Sequence, residues 1–206
     1  AAFEVKADKP TNNYLFVIHE WWGLNDYIKQ EAEKLQNILM NVNVIAIDLY
    51  EGKVATTPED AQKYMGETKE ERIRSIIGGV IDYAGKDAKI QTIGWCFGGG
   101  WSLQASLMAD KQAAGCVMYY GMPEKDQAKL KAFDAPVLGI FASKDKWITP
   151  EVVSGFVKDM KQLNKFLAVK TYEADHAFAN PSNPNYDKES AEAAHILAVE
   201  FLKKHL

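Results

Sequence analysis

Hydrophobic and polar positions alternate between two periods along this chain. Short runs rich in β-branched and aromatic residues, Tyr14 to His19, Val42 to Asp48, Ile90 to Gly94, Gly115 to Tyr120, Val137 to Ala142 and Phe166 to Tyr172, read as core strands. Between them apolar residues recur at helical spacing, as in Ile28, Ala32, Leu35 and Leu39, or Ile73, Ile76, Ile77, Val80 and Ala84. Strand and helix taken in turn predict an α/β architecture, a mostly parallel central sheet with helices on both faces.

Helix starts carry residues able to satisfy the free amides of a first turn: Thr57-Pro58, Thr68 with Glu71 three positions on, and Thr149-Pro150-Glu151. The last helix is expected from near Ser190 to Lys204, burying Ala194, Leu197, Ala198 and Phe201 and placing Lys203 and Lys204 at its negative end. Asn180 to Asn185 is rich in turn formers and reads as a surface loop before that helix. No repeat, linker or low-complexity stretch divides the order, so residues 1–206 are expected to form a single domain.

Composition narrows the function. The 206 residues are 47% hydrophobic and 25% charged, enough for one large core. A net charge of −4 offers no basic footprint for nucleic acid, and charges interrupt every apolar run before membrane-spanning length. A small-molecule partner and a monomer are expected. The two cysteines, Cys96 and Cys116, lie in segments that read as buried structure, not in a disulfide framework. The cytoplasm is the expected compartment, but because the chain begins Ala1-Ala2 without Met a processed, periplasmic or secreted form stays open.

The chemistry concentrates at Gly94-Trp95-Cys96-Phe97-Gly98-Gly99-Gly100, which follows a strand and precedes a helix containing Leu103, Leu107 and Met108. Gly-x-Cys-x-Gly in that setting is a nucleophile elbow with Cys in place of Ser. Side chains at Gly94 and Gly98 would collide with neighbouring backbone. The thiol stands at a helix N-terminus, where partial positive charge favours a thiolate and the Phe97 amide can face a developing oxyanion. A glycine-rich turn with a structural cysteine is the competing reading; the spacing of nucleotide-binding loops is absent.

In α/β-hydrolases the acid follows the nucleophile and the histidine follows the acid, each on a loop at the carboxyl end of a later strand. Asp145 follows the strand ending at Ala142, and His176 follows the strand ending at Tyr172. Of four histidines only His176 fits: His19 precedes the nucleophile, His195 lies in the last helix and His205 at its end. Asp175 is a rival acid, but its adjacency to His176 disfavours a correctly aimed bond to the ring, so Asp145 is preferred. Cys96, His176 and Asp145 together imply attack by sulfur on an ester or lactone and a thioester intermediate.

Further signatures run along nearly the whole chain: His19-Glu20-Trp21-Trp22-Gly23-Leu24-Asn25, Asp48-Leu49-Tyr50, Tyr120-Gly121 and His176-Ala177-Phe178-Ala179. With the cysteine elbow they resemble the dienelactone hydrolase family. The resemblance implies the α/β-hydrolase fold, the Cys96, His176 and Asp145 triad, and an oxyanion hole from the amides of Trp21 and Phe97. It also implies that Glu20 contacts the resting thiol and exchanges partners when substrate arrives. Read from the residues alone, Glu20 could equally be a carboxylate paired with a nearby cation.

One departure concerns substrate. Where the family holds a substrate carboxylate with arginines, Asn180 stands after the histidine, and no arginine occurs between Tyr50 and Arg72. Lysine lacks the planar fork that binds a carboxylate twice. Asn180 and Trp147 are the expected substrate contacts, Trp95 and Trp101 the expected core packers, and Cys116 a small buried hydrophobe. No metal-ligand spacing appears, and no cofactor is expected. The rival class is a non-catalytic or redox-sensitive binding module on the same fold.

Overall fold

The computed structural model describes residues 1–206. Its seven strands are β1 (Ala2–Val5), β2 (Asn13–Ile18), β3 (Asn43–Ile47), β4 (Lys89–Trp95), β5 (Ala113–Tyr119), β6 (Val137–Ala142) and β7 (Leu167–Tyr172). They form one sheet in the order β1-β3-β2-β4-β5-β6-β7, parallel throughout except for β1, which pairs antiparallel with β3. The expected parallel α/β sheet is therefore present.

Alternate residues of the central strands feed opposite cores. Leu15 and Val17 of β2 pack towards α1 (Asp26–Leu39) and α7 (Lys188–Lys204), while Phe16 and Ile18 pack towards α3 (Glu70–Ala84) and α4 (Phe97–Ala109). A third core gathers Cys116, Met118 and Phe141 beneath α5 (Gln127–Ala132) and α6 (Pro150–Gln162). Burial on both faces explains why these strands read as continuous apolar runs instead of alternating ones. No helix is long and apolar enough to cross a membrane.

Two helix starts are capped as their sequences predict: Thr57 accepts from the Asp60 amide before α2 (Pro58–Glu67), and Thr149 accepts from the Val152 amide before α6. Thr68 is different. Its hydroxyl donates to the Tyr64 carbonyl at 2.7 Å and closes α2, and Lys69 stands before α3 without a side-chain cap. The end of one helix abuts the start of the next, and Thr68 serves the former. Helix α7 begins at Lys188, two positions before the expected start, because Asp187 accepts the Ser190 amide at 2.7 Å. Strand β1 was not foreseen, and Phe166 stays outside β7, more than half exposed.

Strand order reverses between β2 and β4, since β3 lies on one side of β2 and β4 to β7 on the other. At such a switch point the loops leaving adjacent strands diverge and open a crevice at the carboxyl ends. Glu20 follows β2 and Cys96 follows β4, so both stand at its mouth.

Candidate active site

Cys96 occupies the bend between β4 and α4 with φ 55° and ψ −119°. A left-handed φ at a non-glycine residue costs on the order of 1–3 kcal/mol, sustained by its surroundings. The Cys96 amide donates to the Tyr119 carbonyl at 3.0 Å, and its carbonyl accepts from Gly99 and Gly100 at 2.9 and 3.3 Å. Close approach dictates the flanking glycines. A Cβ on Gly94 would lie 2.1 Å from the Gly98 carbonyl oxygen, and one on Gly98 would lie 2.3 Å from the carbonyl oxygens of both Ile18 and His19.

The sulfur lies 3.1 Å from Nε2 of His176, and Nδ1 of His176 lies 2.6 Å from Oδ2 of Asp145. The three residues predicted from chain order therefore meet in one line. The second oxygen of Asp145 accepts the amides of Trp147 and Ile148 at 2.8 and 3.0 Å, which fixes the carboxylate behind the ring. Burial pushes the Asp145 carboxyl up, but the bonds from His176, Ile148 and Trp147 outweigh it and hold it below the usual range. Burial likewise pulls His176 down, yet its contacts with Asp145 and Cys96 raise it to about 10. Asp175 is exposed and makes no bond to the ring.

Glu20 is buried and lines the same cleft as Cys96. Burial raises its carboxyl to about 7, against the lowering effect of the Asn180 bond and of His176. The resemblance places this carboxylate on the resting thiol; here Oε2 of Glu20 accepts from Nδ2 of Asn180 at 2.5 Å, and the sulfur faces His176 instead. Asn180 is thus not a cleft residue. It is buried, and its amide oxygen accepts the Ser182 amide at 2.9 Å, so both ends of its side chain are engaged. The Trp21 amide donates to no atom of the protein, and Phe97, first residue of α4, is among the amides a helix leaves unpaired.

The cleft around Cys96 has a volume of about 760 Å³ and a predominantly apolar lining. The exposed Trp147 ring stands edge-on to His176 with centroids 5.1 Å apart and forms part of its wall. Trp21, Trp22 and Trp101 line it as well. Trp101, an expected core packer, does pack against the core beside α3, and it also lines the cleft, its ring 5.6 Å from the Arg74 guanidinium. Trp95 does pack inside, against Tyr119 at 5.5 Å.

Two further residues, both within the family signatures, shape the site. His19 is wholly buried; its Nδ1–H donates to the Glu20 carbonyl at 2.5 Å and Nε2 accepts the Leu49 amide at 3.1 Å. Burial lowers it to about 4, so it is neutral and ties the loop after β2 to that after β3. Tyr120, at φ 34°, sets its buried ring 5.1 Å from that of His176 at a tilt of 59° and leaves its hydroxyl without a protein partner. The signatures mark both positions, but what each contacts appears only in the fold. Cys116 is buried, and burial pushes its thiol to about 11.

A parallel sheet with a switch-point crevice, a cysteine elbow and an Asp-backed histidine defines a protein of the α/β-hydrolase class. Residues 1–206 match the dienelactone hydrolase family, and the chain belongs to that family of hydrolases. Among its relatives is protein usf of Aquifex pyrophilus, 29% identical over 203 residues that cover 93% of this chain and 88% of that one. Carboxymethylenebutenolidase 1 of Cupriavidus pinatubonensis is 24% identical over 212 residues, covering 94% and 88%. A solved structure from Klebsiella pneumoniae shares the fold with a TM-score of 0.83 at 22% identity, over 97% of this chain and 91% of that one.

Proposed function

We propose that the whole chain is one catalytic domain that hydrolyses small carboxylic esters or lactones through a thioester on Cys96. The observation that carries this reading is the continuous line from Cys96 Sγ through the His176 ring to Asp145, at 3.1 and 2.6 Å. Asp145 orients the ring and stabilises its cationic form, and the imidazolium in turn stabilises a thiolate.

The thiolate attacks the carbonyl carbon, and the carbonyl electron pair moves to oxygen, where the amides of Trp21 and Phe97 receive the charge. Collapse of the tetrahedral intermediate breaks the bond to the alcohol oxygen, which takes the His176 proton as it leaves. His176, now neutral, removes a proton from water; the hydroxide adds to the thioester and expels the thiolate. One ester and one water give one acid and one alcohol, joined in a single product when the substrate is a lactone. Glu20 adjusts the balance. Its charged form disfavours a second anion at the sulfur, and the bond from Asn180 spreads that charge.

Steady-state hydrolysis of short-chain nitrophenyl esters and of simple lactones tests the reading. Cys96→Ala and His176→Ala should each lower kcat/KM by on the order of 10³-fold or more, and Asp145→Asn by roughly 10²- to 10⁴-fold. Cys96→Ser should be much slower than wild type, since a hydroxyl offers no accessible anion near neutral pH. Unchanged rates in Cys96→Ala would refute it.

A further inference from the structure

The walls of the cleft carry a charge pattern that the hydrolytic chemistry does not require. Its acidic side chains are Glu20 and Glu124, and apart from the His176 ring its only basic one is Lys125. Both arginines of the chain are engaged elsewhere: Arg72 pairs with Glu51, and Arg74 with Glu70 and Oε1 of Gln104, each at 2.8 Å. Neither lines the cleft.

Glu124 is fixed in place. Nε2 of Gln104 donates to its Oε2 at 2.9 Å, Nζ of Lys129 to the same oxygen at 3.1 Å, and the amides of Lys125 and Asp126 to its Oε1 at 2.8 and 2.9 Å. Burial pushes its carboxyl up, but these donors prevail and bring it to about 2, so it is anionic at any working pH. Gln104 is held at both ends, its oxygen by Arg74 and its amide nitrogen by Glu124. Lys125 is exposed, forms no ion pair, and is the chain neighbour of Glu124, so water and that carboxylate both weaken its pull on a second anion. Most of the remaining wall is apolar, Trp21, Phe97, Trp101, Met122, Trp147 and Ile148 among it; its other polar side chains are the uncharged Tyr120, Asn183 and Asn185, and Asn185 donates to the His176 carbonyl at 3.0 Å. Such a surface rewards removal of apolar area from water and offers a buried carboxylate neutral donors but no guanidinium fork to balance its charge.

We propose that this cleft selects esters and lactones whose acyl and alcohol parts are uncharged and apolar, and that Glu124 is the specificity-determining residue that turns away substrates bearing a carboxylate. The inference rests on the hydrolytic reading of Cys96 and His176 given above. It also accounts for the position of Asn180, which holds Glu20 instead of facing the substrate.

A matched pair of activated esters separates the possibilities: 4-nitrophenyl pentanoate, and the 4-nitrophenyl monoester of succinic acid, similar in length but ending in a carboxylate. At low ionic strength kcat/KM should favour the pentanoate by several-fold or more, because the Lys129 ammonium on Glu124 offsets only part of the repulsion between two carboxylates. The ratio should shrink as salt is raised, and Glu124→Gln should narrow it several-fold. Equal rates, or preference for the succinate ester, would overturn the inference. If Lys125→Ala abolished such a preference, that ammonium would be a carboxylate site. A ratio unmoved by both salt and Glu124→Gln would remove Glu124 from the account. Hydrolysis of neither ester would overturn the functional reading itself and the inference with it.

Discussion

Asn180 donates its side-chain amide to Oε2 of Glu20 at 2.5 Å, joining two loops 160 positions apart in the chain. The bond is the one side-chain hydrogen bond that this buried carboxylate receives. Removing it in Asn180→Ala leaves a buried charge without its donor, and that carboxyl should then titrate above its present value of about 7. The expected loss of stability in urea at pH 8 is about 1–3 kcal/mol. At pH 5, where Glu20 is protonated, the loss should be smaller. An equal loss at both pH values would mean that Asn180 does not act on the charge of Glu20.

The Glu20 carboxyl also sets the pH dependence of folding. Its folded value of about 7 lies above the ordinary 4.5, so between these limits the folded chain holds a proton that the unfolded chain releases. Stability from this group is complete below about pH 4.5 and is lost as pH rises through about 7, by on the order of 3 kcal/mol. Glu20→Gln should flatten that part of the curve and be more stable than wild type at pH 8. His176, raised from 6.5 to about 10, adds a separate decline in the higher window, which Glu20→Gln should leave in place. Denaturation of both proteins at pH 5 and pH 8 checks the sign; equal slopes would contradict it.

Two glycine substitutions should move stability in opposite directions. Gly98→Ala sets a methyl 2.3 Å from two carbonyl oxygens at the end of β2, where backbone has no room to yield. A loss of roughly 3 kcal/mol or more is expected, with loss of activity, because the elbow itself must shift. Gly79→Ala, within α3 with nothing near its Cβ position, should gain about 1 kcal/mol. Urea denaturation midpoints read both changes.

Trp147 combines a backbone amide bound to Asp145 with a ring that is 67% exposed. Truncation to alanine keeps the amide and removes the wall. Trp147→Ala should therefore cost less than about 0.5 kcal/mol of stability while raising KM for apolar esters several-fold. A collapse of kcat with unchanged KM would instead mean that the ring holds His176 in position.

The chemical residues were legible because each sits in a local pattern with a geometric cause. Gly94 and Gly98 announce the close approach around Cys96, and the strands before Asp145 and His176 place both on carboxyl-end loops. What escaped depends on contacts far apart in sequence. Strand β1 is four residues long and exists through its pairing with β3, some forty positions on. Asn180 lies among turn formers, and only the fold shows that it is buried against Glu20. Thr68 could cap either of two abutting helices, and the direction of its hydroxyl decides between them. Trp101 has the spacing of a core residue and packs as one, but only the fold shows that its ring also lines the cleft.

The two thiols allow the most direct test. Cys96 lines the cleft, whereas Cys116 is sealed in the core with its thiol pushed to about 11. Rapid-quench mass spectrometry after mixing with a slowly deacylating activated ester should show one acyl group on the peptide containing Cys96, growing and then decaying at the rate of turnover, with Cys116 unmodified. Turnover without any acyl group on Cys96, or with the group on another residue, would contradict the account.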